Sequence, residues 1–398
     1  MGPAGDESVS GSAPQRLHVA QISFFNDPAR RRPEQLLETW STLVDVAEAA
    51  SGAQVRASVI QACEHTEELV RNGVHYHFLP FGSGAAGNSG LGKLLRALRP
   101  DLFHVHGLNF HEEVRLLAAL APGVPIILQD HASRIPRPWR RSRWRRGLAA
   151  ADAISFCAAA QAQPFREARL LPAGMPVYEI PESTTRFMPG ERAEARAVTA
   201  IAGSPAVLWV GHLDANKDPL TVLDGVSRAA RELPQLRLYC CFGVAPLLRA
   251  VEERVNSDED LHGRVRLLGR VPHERVELLM RAADLFVLGS HREGSGYALI
   301  EALACGLPPV VTDIPSFRSL TAGGAVGRLW PCGDARALGD ALVSLAPQAD
   351  AGMRAAVRAH FEREISPEAL RTKLAHMYFE VAARKRSEPP RRCAPSDA

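Results

Sequence analysis

HREGSGYALIEALACG, residues 291–306, sets two glutamates eight positions apart, Glu293 among glycines and Glu301 inside an apolar run. DLFVLGS (284–290) precedes the stretch and PPVVTD (308–313) follows it. The pattern predicts strand, loop, helix, strand, with HREGSG as the loop, YALIEALAC as the helix and Gly306 as its stop. A loop at the carboxyl end of a parallel strand is where open α/β sheets bind ligands. Gly294 and Gly296 let the backbone approach such a ligand closely, and the free N–H groups of the helix start suit a phosphate. Glu301 falls one turn into the helix, with Ile300 and Ala302 beside it and Tyr297 and Cys305 four residues away. A carboxylate buried there needs donors, and the vicinal hydroxyls of a sugar supply two. The ordinary alternative, a solvated helix face, has no polar neighbours to support it.

The same strand–helix rhythm extends in both directions. LHVAQISF (17–24) reads as a buried strand and EQLLETWSTLVDVAEAA as an amphipathic helix, followed by VRASVIQ, VHYHFLPF, DLFHVHG and PIILQD with helical patterns between. The rhythm breaks over 171–196, rich in proline, glycine and polar residues, which is expected to be an interdomain connection. It resumes at AVLWVGH (206–212), LRLYCCF and VRLLG. Two α/β domains with parallel sheets are therefore expected in tandem.

The chain has 398 residues, 46% hydrophobic and 23% charged, which is enough for two cores and ordinary for a globular protein. A net charge of +3 is too small to argue for a nucleic-acid partner. The seven cysteines are scattered and form no C-x-x-C, against a disulfide framework or structural zinc and for a reducing cytoplasm. The first fifteen residues show no basic-then-apolar signal pattern, and LLAALAPGVPIIL is too short and proline-broken to span a bilayer. The expectation is a cytoplasmic protein, with a peripheral place at the inner face of the membrane left open by RIPRPWRRSRWRR (134–146). That stretch packs seven arginines and two tryptophans, which suits anionic headgroups or, equally, a solvated face with tryptophan packed inward.

EGSGYALIE followed by ALACGLPPVVTD resembles the E-x7-E signature of retaining glycosyltransferases of family 4, group 1, which have the GT-B fold. The resemblance implies two Rossmann-like domains with parallel sheets facing a central cleft. It implies transfer of a hexose from a nucleotide-diphosphate sugar to an acceptor that the sequence leaves unnamed. It makes Glu301 the ribose ligand and Glu293 a ligand of the transferred sugar, with Gly294, Gly296 and Tyr297 also on the donor. WVGHLDANKDPLTVLDG (209–225) resembles the family's strand, loop and helix, so Lys217 would neutralise the departing diphosphate and no metal or other cofactor is expected. His212 stands where the family has arginine, a departure that bears on rate, since histidine is not always charged. DLFHVHG and QDHAS end strands with histidine as in the family, giving His131 as the sugar-positioning residue with His106 nearby. His104 and His106 share a strand face, but no cysteine or acid at zinc-motif spacing joins them.

Two further stretches depart from the family. FFNDPARRRPEQ (24–35) replaces a glycine pair, leaving Arg30, Arg31 and Arg32 either to meet phosphate or to solvate a helix start. PESTT (181–185) replaces P-N-G-V-D. GSGAAG (82–87) and GNSGLGK (87–93) imitate a dinucleotide fingerprint and a P-loop, but the first is out of place and Leu94 follows the second where Ser or Thr must bind magnesium. The domains expected are 1–15 disordered, 16–188 acceptor domain, 189–365 donor domain, 366–385 a helix able to return to the N-terminal domain, and 386–398 a disordered tail. A non-catalytic nucleotide-sugar-binding or scaffold protein with a degenerate site is the rival reading, ahead of an epimerase or a nicotinamide oxidoreductase.

Overall fold

The computed structural model describes residues 16–81 and 88–387. The segments 1–15 and 388–398, and with them the GSGAAG stretch, lie outside the described residues. The first sheet holds β1 (Leu17–Ser23), β2 (Val55–Ala62), β3 (Glu67–Arg71), β4 (Val74–Leu79), β5 (Leu102–His106), β6 (Ile126–Gln129), β7 (Ala153–Phe156) and β8 (Val177–Glu179) in the order β3-β4-β2-β1-β5-β6-β7-β8. The second holds β9 (Ala206–Val210), β10 (Arg237–Cys241), β11 (Val265–Gly269), β12 (Leu285–Leu288), β13 (Pro309–Thr312) and β14 (Arg328–Trp330) in the order β11-β10-β9-β12-β13-β14. The pairings are parallel throughout, except that β3 runs antiparallel to β4 at the edge. The chain thus makes two doubly wound α/β sheets, the GT-B arrangement.

Each sheet reverses its strand order at its first strand. In the first sheet β1 lies between β2 and β5, and in the second β9 lies between β10 and β12. Ligands bind at such switch points, outside the carboxyl ends of the strands. His106 ends β5, His212 and Lys217 follow β9, and Glu293 and Glu301 follow β12, so the topology gathers all of them at strand ends.

Local sequence explains the elements that frame the site. In the Pro219–Glu232 helix, Val222, Leu223, Val226, Ala229 and Ala230 fall on one buried stripe, and Asp218 caps the start by accepting from Thr221 N–H at 3.3 Å. The Tyr297–Ala304 helix is buried almost all round, which is why its sequence carries no polar face apart from Glu301. Gly296 precedes it at φ +77°, and a side chain there would run into the Phe317 ring.

Several expectations need correction. The run EQLLETWSTLVDVAEAA is not one helix but two, Pro33–Thr39 and Ser41–Ala50, broken at Trp40 with φ −105° and ψ 68°. The stretch 171–196 is not a bare connection. It contains β8, three residues hemmed by prolines, and the start of the Arg192–Thr199 helix. The edge strand β3, two residues before β4, takes the place of a crossover helix. The last helix runs Pro367–Ser387, past the boundary expected at 385, and buries Leu370, Leu374, Met377 and Tyr378 against Val46, Ala49 and Leu102 of the first sheet's side.

Candidate active site

The loops after β9 and β12 are laced together. His291 N–H donates to Asn216 O at 2.8 Å, Asn216 Nδ2 to Arg292 O at 2.9 Å, and Lys217 N–H to Asp214 Oδ1 at 2.9 Å. His291 Nε2 also meets Asp218 Oδ2 at 3.0 Å. This bracing delivers Lys217 Nζ onto Glu293 Oε1 as an ion pair, both side chains being largely buried. A charge pair so placed aims each partner. His212, on the same loop, accepts from Val244 N–H through Nδ1 at 3.3 Å, which puts its proton on Nε2. Arg270 stands close by: its Nε and His212 Cε1 both lie 3.9 Å from the place a Gly243 Cβ would occupy.

Glu301 is 2% exposed. Its Oε1 meets Nε2 of His273, which opens the next helix in space, and no other protein donor reaches its carboxylate among the described residues. Burial pushes the Glu301 carboxyl up, while His273 works against that shift. The hydrogen bond that His273 donates to Glu301 in turn raises its imidazole. The His273 ring lies between Phe187, 4.7 Å away, and Tyr297, stacked at 6.2 Å. Glu301, Tyr297 and His273 thus form one cluster, and Lys217, Glu293 and the Gly294–Gly296 backbone another. His273 escaped the sequence reading because VPHERVELL shows it only as the first polar residue of an ordinary amphipathic helix.

The first sheet supplies the opposite wall. His106 Nδ1 and His131 Nε2 lie 3.2 Å apart, and His131 Nδ1 is 3.3 Å from Glu182 Oε2. The Glu182 carboxylate presses on the Gly294 backbone, where a Cβ would collide with it. The Glu182 N–H donates to Ser295 Oγ at 2.9 Å, and Gln161 Nε2 donates to Glu293 O at 2.9 Å and Gly294 O at 3.3 Å. His131 and His106 are therefore brought to the Glu293 loop, with Glu182 and Gln161 as connecting residues that the sequence reading missed. His104 is set apart: fully buried, it meets the Tyr378 hydroxyl at 2.7 Å. Burial, then the charge of His131, holds its imidazole down to about 3, which makes it a structural histidine.

A cleft of about 410 Å³ opens between the two sheets, lined by Asp130, Arg134 and Gln161 on one side and Arg292, Glu293 and Ser316 on the other. Larger hollows of about 640 and 670 Å³ lie elsewhere, beside Asp45 and Arg371 and beneath the β3–β4 edge, away from this constellation. Among the described residues no group of three or more His, Cys, Asp or Glu is placed to hold a metal ion. The arginines after β1 are engaged locally: Arg30 pairs with Glu64 at 3.2 Å, and Arg31 with Asp27 at 3.5 Å and Thr39 at 2.9 Å.

Residues 204–348 match the family described as glycosyl transferases group 1, and residues 41–176 match Glycosyltransferase Family 4. A D-inositol 3-phosphate glycosyltransferase of Xylanimonas cellulosilytica is 30% identical over 317 residues, 76% of this chain and 70% of that protein. The chain belongs to glycosyltransferase family 4. A GDP-mannose:cellobiosyl-diphosphopolyprenol alpha-mannosyltransferase of Xanthomonas campestris is 26% identical over 65% of this chain and 68% of its own length. A phosphatidyl-myo-inositol mannosyltransferase of Mycobacterium leprae is 34% identical, over 36% of this chain and 39% of its own. The fold likeness is broader. Sucrose-phosphate synthase from Thermosynechococcus elongatus superposes with a TM-score of 0.70 at 19% identity, covering 93% of this chain and all of that one. HepE of Anabaena, in complex with UDP and glucose, gives 0.68 at 16% identity, over 92% and 100%.

Proposed function

We propose that this family 4 glycosyltransferase moves a hexosyl group from a nucleotide-diphosphate sugar to an acceptor hydroxyl, with retention of anomeric configuration and without a metal ion. One observation carries the reading: Glu301, 2% exposed at the switch point of a parallel sheet, has His273 as its protein partner and a carboxylate otherwise free for a ribose diol. Glu293 then takes hydroxyls of the sugar, His131 positions the sugar from the opposite wall with His106 behind it, and the Gly294–Gly296 backbone meets the phosphates. Lys217 exchanges Glu293 for the diphosphate as charge grows on the departing oxygen, helped by His212. In the transfer the bond from C1 to the diphosphate oxygen breaks and that from C1 to the acceptor oxygen forms on the same face. The acceptor's proton leaves with the diphosphate. The names of the relatives and the UDP and glucose held by HepE support this donor class.

Calorimetric titration with UDP, GDP and ADP in chelator tests it. Binding of one nucleotide to the wild type, weakened at least tenfold in Glu301→Ala, is the expected result. Absence of binding to all three overturns the donor site and favours a scaffold.

The 134–146 stretch supports peripheral contact with an anionic membrane. Trp144 packs inward against His111, whereas Trp139 is 70% exposed with the Arg137 guanidinium 5.3 Å from its ring. Arg134, Arg140, Arg145 and Arg146 are exposed and make no ion pair with the described residues, and no helix among those residues is long and apolar enough to cross a bilayer. Two relatives bear names of lipid-linked acceptors, which fits an acceptor presented at such a surface. Co-sedimentation with phosphatidylglycerol vesicles is expected, falling several-fold in Trp139→Ala/Arg140→Ala, and equal recovery with neutral vesicles refutes it.

A further inference from the structure

The carboxylate of Glu182 enters the cleft from PESTT, the stretch where this chain departs from the family pattern. Its side chain is 15% exposed. One oxygen lies 3.3 Å from His131 Nδ1, while the other, Oε1, is buried with no hydrogen-bond partner among the described residues. An unpaired buried carboxylate oxygen is costly, so a structure that keeps one has a use for the charge. The backbone of Glu182 is fixed by its N–H on Ser295 Oγ, and the carboxylate rests against Gly294, the one residue type that leaves it room. The carboxylate is therefore placed by the loop that also carries Glu293.

We propose that Glu182 is the positioning residue of His131: it accepts the hydrogen bond of the Nδ1 proton, fixes the ring plane and sets which ring nitrogen faces the sugar site. Its role in transfer rests on the reading of His131 as a sugar ligand.

With Nδ1–H committed to Glu182, Nε2 faces His106 Nδ1, 3.2 Å away, and carries a second N–H towards it whenever the imidazole is protonated. His106 is held well below the ordinary histidine range by burial first, then by the charges of His104 and His131, so it stays neutral and accepts. The Nε2–H is then a donor whose acceptor can be exchanged for a sugar hydroxyl when the donor arrives. His131 itself is 37% exposed along its side chain, enough for a ligand to reach it. Burial works against its charged form, but the hydrogen bond and charge of Glu182, followed by the charge of Asp130, outweigh that and raise it. Burial raises the Glu182 carboxyl, and His131 opposes that, with Asp130 and Glu293 adding to the rise. The groups facing the pair are thus His106 and His104 from β5, Asp130 from the end of β6, Cys157 after β7 and Glu293 with its partner Lys217 from the second sheet.

The sign follows. A histidine raised by a carboxylate keeps its proton to higher pH, so its contribution is present below the raised value and lost as pH climbs through it. Imidazole titration by NMR on the ligand-free full chain is expected to place His131 above 6.5 in the wild type. In Glu182→Gln, which keeps an acceptor but removes the charge, it should fall. With donor and acceptor, kcat at pH 8 should drop about tenfold in this variant, with its alkaline limb shifted down. His131→Gln provides the reverse reading: the Glu182 carboxyl, followed by its 13C shift, should titrate higher once the imidazole is gone. Titrations of His131 and Glu182 that ignore each other's replacement overturn the proposal. Shifted titrations with an unchanged rate profile leave the pair standing and overturn instead the assignment of His131 to the sugar.

Discussion

Histidine serves three different ends within a few ångströms in this protein, and the difference is made by neighbours. His131 is raised by Glu182, His106 is kept neutral by burial between two other imidazoles, and His104 is sealed beneath them against Tyr378. His104, held down to about 3 against the ordinary 6.5, makes stability depend on pH. Its folded form binds the proton less readily than the unfolded chain. Acidification through the window from 6.5 towards 3 therefore favours unfolding, and stability rises with pH across it. His111, lowered to about 4 chiefly by burial, adds in the same direction. Urea unfolding between pH 6.0 and 4.5 should show the wild type losing stability more steeply than His104→Gln, by about 1 kcal/mol per pH unit. Parallel slopes would mean that water reaches His104. His131, His106, Lys217 and both glutamates could be picked out of the sequence because each falls at a strand end or in the loop and helix that follow one, in a motif of fixed spacing. Glu182 and His273 were not legible: each acts through a partner more than twenty-five positions away, a pairing that only the closed cleft creates.

The elements were readable wherever burial imposes a period. The strands β9, β12 and β13 are covered on both faces and read as nearly unbroken apolar runs, as parallel strands do. The Tyr297–Ala304 helix was readable for the opposite reason, a single acid in an otherwise apolar surface. The elements that escaped are short or at edges. β8 contributes three residues between prolines, and β3 carries EELVR, half-exposed and charged as an edge strand must be to avoid pairing with another chain. The break at Trp40 escaped because the apolar spacing continues across it while the backbone leaves the helix. The Pro367–Ser387 helix was foreseen as an element, but its register was not. Tyr378 is placed so that its hydroxyl accepts from Gln21 Nε2 at 3.4 Å and meets His104 at 2.7 Å. The Pro367–Ser387 helix thus braces the floor beneath the histidines of the first sheet.

At the scale of the whole molecule, function depends on how the two sheets are held face to face. Small interfaces between domains leave relative motion as the default, and closure over a donor is what excludes water and completes a site. The bonds that span the cleft at the site among the described residues include Gln161 to the carbonyls of Glu293 and Gly294, Glu182 N–H to Ser295, and the Ser319 hydroxyl to Glu179 Oε1 at 2.6 Å. Gln161 matters most because both of its acceptors belong to the loop that bears Glu293. Without it the loop keeps its ion pair with Lys217 and the bond from Glu182 to Ser295 but loses the bonds that hold the Glu293 and Gly294 carbonyls to the first sheet, so on the proposed reading Glu293 and His131 no longer meet the sugar at a fixed separation. A hydrogen bond of this kind contributes about 1 kcal/mol, and two acceptors left in a partly closed cleft make the loss somewhat larger. Gln161→Ala should therefore lower kcat/KM for the sugar donor by about tenfold, with melting temperature within a degree or two of the wild type. Calorimetric affinity for the free nucleotide should be nearly unchanged, because Glu301 and His273 lie wholly on the second sheet's side. A parallel fall in nucleotide affinity would place the loss in the donor loop itself, and an unchanged kcat/KM would show that closure does not run through this residue. Small-angle scattering separates the two halves of the argument: the variant should show a larger radius of gyration without ligand, one that returns towards the wild-type value once donor is bound.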